Sequence, residues 1–121
     1  MTETAEPKKY DLEERTFKFA KAVRVFIKQL PKTISNIEDS KQVARSSGSM
    51  GANYIEANES LSKKDFAMRI KICRKESKET VYWLKLIDVG ESNELETEWQ
   101  RLLQEAGELM KIFSAIMRKS V

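Results

Sequence analysis

Two stretches in the second half of the chain carry their core-type residues at alternating steps of four and three. One is Phe66, Ile70, Cys73, Ser77, Thr80, Leu84 and Ile87; the other is Leu95, Trp99, Leu102, Ala106, Leu109, Phe113 and Ile116. Such steps keep residues on one side of an α-helix, whereas a half-buried strand alternates every second residue. A third stripe, Leu12, Thr16, Phe19, Val23, Phe26 and Leu30, is flanked by Ala20 and Ile27. A fourth is weaker: Val43, Ser47, Met50, Tyr54 and Ala57. One buried stripe per segment predicts an all-α protein of four amphipathic helices.

The breaks between stripes set the expected boundaries. Asp11 with Glu14 reads as a capping box for helix 1, with Tyr10 as its hydrophobic staple. Pro31 ends that helix after Leu30, because the residue before proline avoids the helical region. Asp39 or Ser40 is the expected cap of helix 2, which then reaches about Glu59. Ser62 with Asp65 opens helix 3, and Gly90 is its expected C-terminal glycine. Ser92 or Asn93 caps helix 4, whose first turn holds Glu94 and Glu96 and whose last holds Arg118 and Lys119, as the helix dipole favours. Short connections make successive helices antiparallel neighbours. The fold expected is an up-down-up-down antiparallel four-helix bundle over residues 11–121, preceded by a mobile polar tail at 1–10.

The middle of helix 2 is crowded with small residues, Ser46-Ser47-Gly48-Ser49-Met50-Gly51-Ala52. A phosphate-binding loop would follow a strand and carry Gly-Lys-Ser/Thr, which is missing here. A helix-turn-helix broken at Ser47-Gly48 fits poorly with two long helices downstream. Close approach of two helix backbones is the better reading, with each glycine costing about 1 kcal/mol of helix propensity relative to alanine.

Composition narrows the chemistry. The 121 residues include no histidine and one cysteine. That removes the usual general base, the commonest metal ligand and the Ser-His and Cys-His nucleophile pairs. Di-iron bundles need Glu-x-x-His pairs, so Glu56, Glu76 and Glu79 do not read as such a site. No catalytic, cofactor-binding or metal-binding residue is therefore expected. A carboxylate-based hydrolase using Glu76 and Glu79 is the weakest alternative. No apolar run approaches the roughly 18 residues of a membrane span. The N-terminal residues do not have the basic-then-apolar order of a secretory signal. With a lone Cys73 on a core stripe, a cytoplasmic protein is expected.

The net charge of +3 is unevenly spread. Residues 1–37 carry +3 and residues 63–90 carry +4, while 38–62 and 91–121 carry −2 each. On helix 3 the cations Lys64, Lys71, Arg74, Lys75, Lys78 and Lys85 share one face with Tyr82. On helix 1 the corresponding cations are Lys21, Arg24 and Lys28. Lysines that displace counterions from phosphates, with an aromatic ring for base stacking, suit nucleic-acid binding. A merely solvated face is the competing reading. Glu76 and Glu79 lie on the other flank of helix 3, so they are expected to leave the basic face unneutralised. Phe17 and Val25 on helix 1, and Ile72 and Trp83 on helix 3, fall off the core stripes and suggest a subunit interface.

Three ordered motifs carry a family resemblance. They are Arg45-Ser-Ser-Gly-Ser-Met-Gly-Ala-Asn53-Tyr-Ile-Glu56-Ala, then Ser62-Lys-Lys-Asp-Phe66, then Lys75-Glu76-x-x-Glu79-Thr-x-Tyr-Trp83-Leu. Over residues 11–118 the chain resembles the four-helix bundle proteins encoded in 23S rRNA intervening sequences. That family also looks like the accessory proteins of diversity-generating retroelements. The resemblance implies a ring-forming homo-oligomer, typically a pentamer, with a basic surface, nucleic-acid binding and no enzymatic activity; of the two nucleic acids we expect RNA to be favoured over DNA. By motif position it marks Arg45, Asn53, Glu56, Glu76, Glu79 and Trp83, which we read as packing and assembly residues. The alternative it leaves open is a protein-interaction scaffold, or accessory subunit of a nucleic-acid-processing complex, that does not itself recognise nucleic acid.

Overall fold

The computed structural model describes the backbone of residues 8–120 and the side chains of 12–120. Within them the chain forms four helices: α1 (Lys8–Ile27), α2 (Ile34–Asn58), α3 (Lys63–Leu86) and α4 (Asn93–Lys119). The packed pairs are α1 with α2, α2 with α3, α3 with α4 and α4 with α1. This is the up-down-up-down bundle, with α1 diagonal to α3. The α2–α3 contact is the most extensive and the α1–α4 contact the sparsest.

All four stripes turn inward. Val23, Phe26, Met50, Ile70, Leu84, Leu102, Leu109 and Phe113 have almost no exposed surface. Tyr54 meets Phe113 with ring centroids 5.8 Å apart. The outer members Phe66, Trp99 and Ile116 are half-buried against this core. Cys73 is fully buried, and burial pushes its thiol pKa up to about 12. An inert, packed cysteine results, since reactivity needs the thiolate.

Several boundaries differ from expectation. α2 starts five residues upstream of the expected cap at Asp39: Thr33 caps it, its hydroxyl accepting from the Asn36 amide at 3.1 Å. The seam of α2 begins with a polar residue, which apolar counting skips. Asn36 is buried, donates to the Pro31 and Asp88 carbonyls at 3.0 and 2.8 Å, and accepts from the Asp88 amide at 3.1 Å. One side chain therefore ties the α1–α2 connector to the α3–α4 connector. α3 stops at Leu86, three residues short of Val89, and Ile87 rather than Gly90 follows it. Gly90 still has the left-handed conformation, φ 73°, but in the turn before α4. α1 is already helical at Lys8, upstream of Asp11; the Asp11 and Tyr10 side chains lie outside the described residues, as does most of the expected tail. The Ser62 and Ser92 caps are formed, to Asp65 and Leu95 amides.

α2 is one unbroken helix through Ser47-Gly48, which disposes of both the loop and the helix-turn-helix alternatives. Its glycines serve close packing. A β-carbon on Gly51 would stand 2.8 Å from Thr16 Oγ1, and one on Gly48 would stand 3.1 Å from a guanidinium nitrogen of Arg24.

Candidate nucleic-acid interface

The outer side of α3 carries its own heptad ladder: Lys64, Met68, Lys71, Lys75, Lys78, Tyr82 and Lys85, all exposed. The chain folds this way because the same helix buries Ile70, Cys73, Ser77, Thr80 and Leu84 on its opposite side. Lys64, Lys71, Lys78 and Lys85 recur every seven residues, about 10.5 Å along the axis at 1.5 Å per residue. Among the described residues none of these four pairs with a carboxylate. Tyr82 is 58% exposed and packs edge-on against Trp83, centroids 5.1 Å apart. The ring is thus buttressed by a neighbour while more than half of its surface stays open to solvent.

Two members of the predicted cluster are already engaged. Arg74 is half-buried and donates Nε to Ser114 Oγ of α4 at 3.2 Å. Lys75 lies 3.4 Å from Glu79 Oε2 and 3.8 Å from Glu76 Oε2. The expectation that those glutamates leave the basic face unneutralised fails at this position, because a lysine side chain spans the roughly 5–6 Å between helix neighbours.

The cations of α1 form a separate surface, since α1 and α3 are diagonal and face opposite ways. Lys21 sits over the Phe17 ring at 6.0 Å. Arg24 donates to the Ala20 and Ala44 carbonyls, each at 3.1 Å, so it staples α1 to α2 while remaining exposed. Lys28 is exposed.

The motif residues resolve into packing. Arg45 of α2 reaches across to α3, 3.1 Å from Glu79 and 3.4 Å from Glu76. Glu76 is only 5% exposed, and with Lys75 and Arg45 on either side it forms an inter-helix ion cluster. Asn53 accepts from Arg69 at 2.9 Å and donates to Ser49, a second α2–α3 tie. Glu56 is exposed, and among the described residues its carboxylate has no partner. Trp83 and Ile72 are half-buried rather than free, and Trp83 rests on the core. Phe17 and Val25 are exposed. Phe17 lines an apolar groove between α1 and α2, about 310 Å³, with Ala20, Gly48, Gly51, Ala52 and Ile55. Ile55, exposed on α2, escaped the sequence reading; its signal was an isoleucine one position off the α2 seam. Met68 and Leu86 were missed likewise. Among the described residues no cluster of three or more potential ligands could hold a metal ion.

No curated protein matches this sequence. A crystal structure of a protein of unknown function from the S23 ribosomal protein family of Bacteroides thetaiotaomicron has the same fold. It is 28% identical, covers 88% of this chain and 97% of its own, and superposes with a TM-score of 0.72. The family model described as 23S rRNA-intervening sequence protein matches residues 8–115. With the bundle, the α2–α3 ties and the motif residues in hand, the chain belongs to the 23S rRNA-intervening sequence protein family.

Proposed function

We propose that this protein is a non-enzymatic, cytoplasmic nucleic-acid-binding bundle that works as a ring-shaped homo-oligomer, with RNA favoured over DNA. The observation that carries the reading is the outer ladder of α3: four lysines at seven-residue intervals, unpaired among the described residues, beside an open tyrosine ring. Such lysines release counterions from phosphates, and the tyrosine offers a stacking surface to an unpaired base. Phosphate contacts position a partner without reading its sequence. Recognition by charge and shape suits structured RNA. Because the α1 cations face the other way, one subunit offers two separate basic surfaces, and a ring multiplies the α3 ladder into an avid one. Exposed apolar Phe17 and Ile55, on the α1–α2 side away from the ladder, support a subunit contact that leaves the α3 lysines open. The α1–α2 groove favours a second reading, a scaffold that docks a protein partner there.

The test is fluorescence anisotropy of nuclease-treated protein with a labelled RNA hairpin and a matched DNA duplex across a salt series. Binding should weaken steeply with salt. The triple variant Lys71→Gln, Lys78→Gln, Lys85→Gln should flatten the log–log slope by roughly 2–3, at about 0.7–0.9 per lost phosphate contact. No binding by the wild type at low salt eliminates direct recognition and leaves the scaffold reading.

A further inference from the structure

We infer that the nucleic-acid backbone lies in the groove between α3 and α4 and descends onto the helix backbone at Gly107. The inference rests on the nucleic-acid reading above and deepens it by naming the side of the ladder that is used.

The bond from Arg74 to Ser114 sets the register of the two antiparallel helices. One heptad earlier on α4 is Gly107, and one heptad later on α3 is half-buried Val81. Gly107 therefore faces the same groove as Ser114. A glycine inside a helix is unfavourable and persists where something comes close to the backbone. For Gly48 and Gly51 that something belongs to the chain: Arg24 and Thr16 occupy the space. At Gly107 an added β-carbon would meet nothing within 4 Å. Among the described residues no contact accounts for this glycine, so its bare backbone faces open space beside the α3–α4 seam.

The charges around the groove select its occupant. At 100° per residue, Lys71 and Lys85 lie on the α4-facing shoulder of the ladder, next to the line of Arg74 and Val81, while Lys78 lines a hollow on the α2 side with Gln42, Glu79, Tyr82 and Trp83. Lys75 leans the other way, to Glu79. Lys111, four residues beyond Gly107, adds an exposed cation from α4. The carboxylates of α4 nearest this row are Glu96, in the first turn, where it accepts from Gln100, and Glu108, next to Gly107, which accepts from Arg15 and Gln104 and lies within electrostatic reach of Lys111. A row of cations over a floor with a missing side chain fits a polyanion whose backbone is narrow and whose charge is regular, which is a sugar–phosphate strand. Gly107 makes room for it, and the lysines supply the attraction.

The experiment compares Gly107→Leu and Gly107→Ala with the triple lysine variant, using the same labelled RNA hairpin and DNA duplex, with sedimentation velocity on each protein. Gly107→Leu should weaken binding of the RNA hairpin roughly tenfold, equal to about 1.4 kcal/mol, with unchanged oligomer mass. Gly107→Ala should unfold at higher urea than wild type yet bind more weakly; it carries the test if the leucine variant does not fold. Wild-type affinity for both glycine variants, with affinity lost in the lysine variant, overturns the groove and keeps the nucleic-acid reading. Unchanged affinity in all three overturns both. A drop in oligomer mass together with binding makes Gly107 a subunit contact and also overturns the inference.

Discussion

Gly51→Ala and Gly107→Ala are the same chemical change inside two helices, and the surroundings of each glycine give them opposite signs. At Gly107 the added methyl meets nothing within 4 Å, so only helix propensity acts, and the variant gains about 1 kcal/mol. At Gly51 the same gain is opposed. The new carbon would stand 2.8 Å from Thr16 Oγ1, 3.2 Å from Thr16 Cβ and 3.8 Å from the Thr16 carbonyl carbon. Thr16 cannot rotate away freely, because it is buried and its hydroxyl donates back to the Leu12 and Glu13 carbonyls at 2.9 and 3.0 Å. α1 must then move off α2, an overpacking cost of about 1–3 kcal/mol, with about 1 kcal/mol more if the hydroxyl loses its bond. Net of the propensity gain of about 1 kcal/mol, Gly51→Ala should lose up to about 2 kcal/mol, and about 1–3 kcal/mol if the hydroxyl bond is broken as well. Urea unfolding followed by circular dichroism, at one fixed protein concentration, reads the first case as a midpoint lowered by up to roughly 1 M. Adding Thr16→Ala removes the obstructing oxygen, so the double variant should be more stable than the two single losses predict, by about 1 kcal/mol of coupling. If Gly51→Ala is as stable as Gly107→Ala, the close α1–α2 approach is wrong.

Other consequences can be checked alongside. Asn36→Asp keeps the shape but sets a carboxylate against the Pro31 and Asp88 carbonyls, and should cost at least about 2 kcal/mol at neutral pH; a change under about 0.5 kcal/mol would show that the two connectors are not tied there. Because burial raises the Cys73 thiol from 9.0 to about 12, the folded state holds that proton longer than the unfolded state. Its contribution is intact below pH 9 and is lost as pH rises toward 12, at up to about 1.4 kcal/mol per pH unit. The stability advantage of wild type over Cys73→Ala should therefore shrink between pH 9 and 11, and a constant difference would contradict the burial. Phe17→Glu should leave monomer stability within about 0.5 kcal/mol, since the ring is 64% exposed. It should lower the sedimentation mass if the α1–α2 groove seats a neighbouring subunit; unchanged mass removes Phe17 from the assembly.

The helices and their inward faces were legible in the sequence because burial repeats with the period of the helix itself. Phe66 to Ile87 and Leu95 to Ile116 needed no tertiary information, and neither did the caps at Ser62 and Ser92. The start of α2 was not legible, because its seam opens on Asn36, whose partners Pro31 and Asp88 are five and fifty-two residues away. The ladder of α3 could be read as a face, but not which lysines remain free. Arg45 is claimed by Glu76 and Glu79 only once α2 lies against α3, whereas the Lys75–Glu79 pair is an i,i+4 contact that α3 makes by itself. Likewise the composition of α2 announced close packing without naming its partner, which Thr16 and Arg24 of α1 turn out to be. A single helix fixes which residues share a side, because that follows from local geometry. Which side meets which neighbour, and so which charges stay unpaired and which glycine stays open, depends on contacts between distant segments, and those the folded bundle alone decides.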